Sequence, residues 1–165
     1  MILAKQILRI LGCYLLAEAL TLFIDLTLSF SGSVGVRIVC SICTLGILLG
    51  LMANGGYAAA LSDAKAKRTP SVLRGMLYGL CGSAIPAALW GMLMAARAGA
   101  LPGDFYRLYK LLCAPFLSVC NLISADIQAA SIPGWGMAVL AGLSVTPCIA
   151  VVVAYCLTGM GKKNA

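Results

Sequence analysis

Four long apolar stretches, at about residues 7–30, 36–61, 75–96 and 135–158, constrain this chain more than any other feature. About 20 apolar residues in a helix cross the ~30 Å hydrocarbon core of a bilayer, and each stretch reaches that length. Lipid offers no water to the backbone, so a spanning segment must satisfy its own hydrogen bonds as a helix or within a closed barrel. The fold expected is an all-α integral membrane protein, a bundle of four transmembrane helices. The first run, "ILRILGCYLLAEALTLFIDLTLSF", is longer than the 7–15 apolar residues of a signal peptide core and contains Glu18 and Asp25, so it reads as a retained helix. Only 10% of residues are charged, against about 25% in soluble domains, and no polar segment is long enough for a separate soluble domain. Residues 1–165 read as a single membrane-embedded helical domain.

The segment "LLCAPFLSVCNLISA" supplies only ~15 apolar residues, short of a comfortable span. Charge resolves its place. With four spans and a cytoplasmic N-terminus, Lys5, Arg9, Lys65, Lys67, Arg68, Arg74, Lys162 and Lys163 lie inside, while Arg37, Arg97, Arg107 and Lys110 lie outside. A fifth span across 111–130 would move Lys162 and Lys163 outside and erase the asymmetry that orients membrane proteins. The expected arrangement is therefore multi-pass in the cell membrane with both termini cytoplasmic, plus an external interfacial or re-entrant helix at about 103–130. Phe105, Tyr106 and Tyr109 suit the head-group layer, Arg107 and Lys110 can snorkel to water, and Pro115 breaks the helix.

A formal charge of +7 raises the question of nucleic acid, but no nucleic-acid motif is present and the membrane accounts for the cations, which meet anionic lipid head groups. The chain contains no histidine, which removes Ser-His and Cys-His catalysis together with the commonest transition-metal ligand. With no catalytic constellation, cofactor or metal site in view, the chain reads as a non-enzymatic transport component, or as an accessory subunit with a membrane protein partner.

Polar residues inside the spans carry the functional interest. Glu18 and Asp25 stand seven apart, two turns along one helix face. Acidic residues in spans face a bundle interior, pair, or mark an ion or proton path. Asp25 is expected to pair with Arg37 across "SFSGSVGVR", whereas Glu18 lies deeper with no basic residue at its depth. It either titrates in function or hydrogen-bonds to Asn54, Ser83 or Tyr78 on another helix. Asn121, Asp126 and Gln128 form a polar cluster after the external apolar segment. Gly46 with Gly50, and Gly75 with Gly79, stand four apart and suit close helix packing.

Eight cysteines remain. Cys40 and Cys43 form a Cys-x-x-Cys near the outer end of the second helix, where a thiol pKa can be lowered, and Cys113 and Cys120 follow the third helix. Four spans with two external cysteine pairs resemble the quinone-linked membrane oxidoreductases of the DsbB family. That resemblance implies a thiol oxidoreductase using Cys40 and Cys43, with Cys113 and Cys120 as the second pair and quinone as cofactor. The residues themselves favour small apolar packing, because Cys13, Cys81, Cys148 and Cys156 also sit in apolar runs and "CSICTLGILLG" lacks the polar residues of that family's first pair.

Overall fold

The computed structural model describes residues 2–28 and 33–161; Lys162, Lys163 and residues 29–32 lie outside the described residues. Among the described residues there is no strand. The long helices are α1 (Ile2–Leu28), α2 (Val34–Lys65), α3 (Val72–Arg97) and α6 (Gly134–Gly161), with the short α4 (Phe105–Leu112) and α5 (Leu117–Ile123) between the last two. At 1.5 Å per residue the long helices, of 26 to 32 residues, measure about 39–48 Å. All four are long and apolar enough to cross a membrane.

Helix ends are set by backbone chemistry rather than by loss of hydropathy. α2 continues past the apolar run at 61 because no helix breaker intervenes, and it closes at Lys67, whose φ of 54° lies in the left-handed region. There the Arg68 N–H donates to Asp63 O and the Lys67 N–H to Ala64 O, both at 3.0 Å, the paired bonds of a Schellman cap. α3 ends the same way at Gly99 (φ 82°), with Ala100 N–H donating to Ala95 O and Gly99 N–H to Ala96 O. Lysine fills a position that glycine occupies more cheaply, but its cation suits the carbonyl end of the helix dipole.

The chain forms two compact units, each drawing a stretch from every long helix: residues 1–16, 48–84 and 146–165 in the first, 17–47 and 85–145 in the second. In the first unit, α6 lies directly against α2 and α3. A Cβ on Gly56 would fall on the backbone carbonyl of Val151, and one on Gly79 would lie 2.7 Å from Cys148 Sγ and 2.9 Å from Cys148 O. Small residues permit this close approach of the helix backbones. The pairing expectation holds for Gly75 and Gly79 and fails for Gly46 and Gly50, where an added Cβ would meet nothing within 4 Å. Spacing alone does not say which face of a helix meets a neighbour.

Prolines inside α3 and α6 disturb the helical ladder, and serines complete it. In the first unit the Cys148 N–H, just after Pro147, donates to Ser83 Oγ at 2.8 Å. In the second, Ser144 Oγ donates to Leu140 O at 2.9 Å and reaches Pro86 O at 3.4 Å. Large apolar side chains on the long helices remain uncovered, among them Leu8 at 71%, Phe23 at 69% and Leu73 at 76% exposure. Apolar surface on that scale calls for a covering apolar phase or partner.

The segment expected to be helical at about 103–130, with a break at Pro115, consists of two short helices joined by a 3-10 turn at Ala114–Phe116, and beyond Ile123 it continues as extended and turn residues rather than as helix. Cys113 (φ −126°, ψ 51°) ends α4, and Pro115 cannot supply the N–H that a continuing α-helix requires.

Candidate functional site

The break between α4 and α5 creates backbone groups with no helical partner, and side chains of α1 and α2 take them up. The Ala114 N–H donates to Glu18 Oε1 at 2.7 Å, and Thr44 Oγ1 donates to Pro115 O at 3.1 Å. Glu18 lies ten residues, about 15 Å, along α1 from Leu28. The turn is thus held at mid-helix, and it is tolerated there because protein groups satisfy it. Glu18 thus accepts from a backbone group of the segment between α3 and α6.

Seven residues further along α1, Ser118 Oγ of α5 donates to Asp25 Oδ1 at 2.5 Å. The Asp25 side chain is only 5% exposed, and its Oδ2 has no hydrogen-bond partner among the described residues. It lines a cavity of about 70 Å³ together with Arg37, Cys40, Ser118 and Asn121, closed on its apolar sides by Leu28, Val36 and Leu117. The structure thus brings Asp25, Arg37, Cys40 and Asn121 to one space. Glu18 anchors its neighbouring turn.

The remaining candidates fall elsewhere. Asn54 lines a different cavity, in the first unit. The Asp126 residue is exposed, and its backbone carbonyl accepts from Lys110 Nζ. Cys43 is exposed while Cys40, Cys113 and Cys120 are buried, and all eight cysteines are free thiols. Burial pushes the Cys120 thiol up to about 12, with the charge of Lys110 only partly opposing it.

α4 is packed more deeply than its composition suggests. Phe105, Tyr106 and Tyr109 are buried rather than turned outward to a head-group layer, and burial raises both phenols above the ordinary tyrosine range. Lys110 is 7% exposed and does not reach out to solvent as expected, although Arg107 does. Its Nζ donates to Ser124 O at 2.8 Å and Asp126 O at 2.9 Å, capping carbonyls left open where α5 ends, and lies 4.4 Å from the Tyr106 ring centroid. Burial lowers its ammonium below the ordinary lysine range, against the raising influence of Cys120 and Asp126. Tyr106 Oη donates to Cys120 O at 2.9 Å, and the Ala129 N–H donates to Gly103 O at 2.8 Å, closing the ends of the segment on each other.

One buried carboxylate escapes sequence reasoning. Asp63 of α2 is fully buried, and its Oδ2 accepts from Tyr155 Oη at 2.8 Å and Tyr78 Oη at 3.4 Å, the two rings lying 5.6 Å apart. Its place in the basic stretch "SDAKAKR" makes it look like part of a linker. The available signal is the absence of any breaker between Ala58 and the Thr69-Pro70 step, which lets the helix run through Asp63.

No protein-family model matches this chain, and neither a curated protein nor a solved structure shows significant similarity to it.

Proposed function

We propose that this chain is a small non-enzymatic transport component of the cell membrane, crossing it four times with both termini cytoplasmic, and that Asp25 takes up and releases a proton in its cavity. Charge supports the orientation. The first unit carries Lys5, Arg9, Lys65, Lys67, Arg68, Arg74, Lys162 and Lys163 against Asp63, whereas the second balances Arg37, Arg97, Arg107 and Lys110 against Glu18, Asp25, Asp104 and Asp126. Basic residues collect on the cytoplasmic side, and this excess around both termini supports their cytoplasmic placement.

The observation that carries the reading is the Asp25 cavity. Asp25, whose buried Oδ2 has no hydrogen-bond partner among the described residues, lines a space of about 70 Å³, room for roughly two waters at ~30 Å³ each, or for one ion. That excludes an organic substrate from this space. Arg37 lines the same cavity, and its positive charge disfavours a metal cation there more than it does a proton held on the carboxyl. A broken helix held at mid-helix depth beside the acid is the arrangement from which transporters build ion sites. The thiol-oxidoreductase reading has less support: Cys40 is buried in the cavity wall while Cys43 is exposed, and the raised Cys120 thiol is a poor nucleophile.

Purified protein in liposomes holding an internal pH dye tests the reading. An imposed inside-negative potential should acidify the lumen faster than in empty liposomes, and Asp25→Asn should abolish the difference. Acidification equal to that of empty liposomes, or sodium entry that Asp25→Asn leaves unchanged, contradicts it.

A further inference from the structure

The first unit holds a second and quite different cavity, of about 330 Å³, between the start of α1 and the end of α2. Its wall carries three cations, Lys5 and Arg9 one turn apart on α1 and Lys65 on the last turn of α2, with the neutral donors Asn54, Tyr57 and Ser62. Among the described residues no carboxylate lines it. The first unit's one Asp or Glu, Asp63, is fully buried with its Oδ2 engaged by Tyr78 and Tyr155.

Lys5, Arg9 and Lys65 are exposed at the rim of this cavity, and with no carboxylate among its described lining residues they give it a positive potential. A second observation points to a ligand. Gln6, on the same wall, is 95% removed from solvent, yet its Oε1 has no hydrogen-bond partner among the described residues. Buried amide oxygens are ordinarily paired, and an unpaired one costs free energy until a donor arrives.

We propose that this cavity binds a phosphate-bearing anion, the phosphate held by Lys5, Arg9 and Lys65 and a hydroxyl of the same ligand donating to Gln6 Oε1. Arg9 offers the planar fork that matches two phosphate oxygens, and Lys5 and Lys65 act as point charges. The volume, about eleven waters' worth, admits a phosphate with a glycerol attached as readily as a free ion. A glycerol-bearing phospholipid headgroup and hydrogen phosphate both supply the anion and the hydroxyl. Basic pockets between spanning helices on the cytoplasmic side are where anionic headgroups bind. The site needs the membrane placement argued above but not proton transfer at Asp25, so proton-flux results leave it untouched.

Native mass spectrometry of the full chain in neutral detergent, titrated with phosphatidylglycerol or phosphatidylcholine, tests the proposal, with inorganic phosphate against chloride of equal ionic strength as a separate arm read by thermal midpoint. Phosphatidylglycerol should bind more tightly than phosphatidylcholine, and K5Q/R9Q should weaken it by about thirtyfold, whereas K67Q/R68Q, which removes equal charge outside the cavity, should change it less than about threefold. Gln6→Leu should weaken it by about tenfold without altering net charge. Gln6→Glu, nearly isosteric, should weaken it further and covers the case in which the leucine variant misfolds. A lipid effect with a silent phosphate arm identifies the headgroup as the source; a phosphate-induced rise in midpoint lost in K5Q/R9Q identifies the free anion. Equal losses in K5Q/R9Q and K67Q/R68Q, or an unaffected Gln6→Glu variant, overturn the site, as does the absence of any preference for anionic lipid together with no effect of phosphate.

Discussion

The backbone N–H of Ala114 donates to the Glu18 carboxylate at 2.7 Å, so the middle of α1 holds the turn that separates α4 from α5. Glutamine keeps an oxygen at that position and leucine does not. Glu18→Gln should therefore cost under about 1 kcal/mol, while Glu18→Leu leaves a buried N–H without an acceptor and should cost about 1–3 kcal/mol. Thermal midpoints in detergent measure both. Equal loss in the two variants would mean that charge at Glu18, rather than its acceptor, is what matters.

Glycine spacing yields to a direct comparison. Gly56→Ala drives a methyl into the Val151 carbonyl and should destabilise by about 1–3 kcal/mol, whereas Gly50→Ala meets open space and should be neutral or stabilising by up to about 1 kcal/mol. Similar midpoints for the two variants would remove the close α2–α6 approach.

How far this arrangement can be read from sequence depends on which residues act locally. The four long helices follow from runs of apolar residues, since hydropathy and length alone decide whether a segment can span. The α2 end at Lys67 does not follow, because a Schellman cap built on a left-handed lysine leaves no glycine to mark it. Glu18 and Asp25 are conspicuous as acids in an apolar helix, yet their partners Ala114 and Ser118 lie over ninety residues away. Lys110 shows the opposite failure: the rule that lysines reach for water gives way to carbonyls left open where α5 ends.

Topology is open to a fusion experiment. A reporter placed after Ala165 should register as cytoplasmic, because an even number of long helices precedes it and the first unit holds the excess of basic residues. An external signal would require a fifth crossing and would turn the α4–α5 segment into a span.

Cys120 supplies a pH signature. A thiol raised from 9.0 to about 12 carries about a thousandfold less thiolate at neutral pH, so its alkylation in the folded protein should be slower than in the denatured chain by at least that factor. Because the folded-state value is the higher one, the stability it contributes is complete below about pH 9 and is lost as pH rises toward 12. Peptide mapping after timed maleimide exposure reads the rate. Labelling of native Cys120 as fast as that of the denatured chain would contradict its burial.

Proton uptake measured side by side for Asp25→Asn and Glu18→Gln in matched liposomes tests the central claim most directly. Both variants remove one carboxylate from the same face of α1, but of the two only Asp25 lines the cavity. Uptake should fall to the empty-liposome rate in Asp25→Asn and persist at no less than about half the wild-type rate in Glu18→Gln, within the change expected when a hydrogen bond to a charged acceptor becomes a neutral one. The reverse order, or uptake undiminished in Asp25→Asn, would contradict the assignment of Asp25 as the proton-exchanging group.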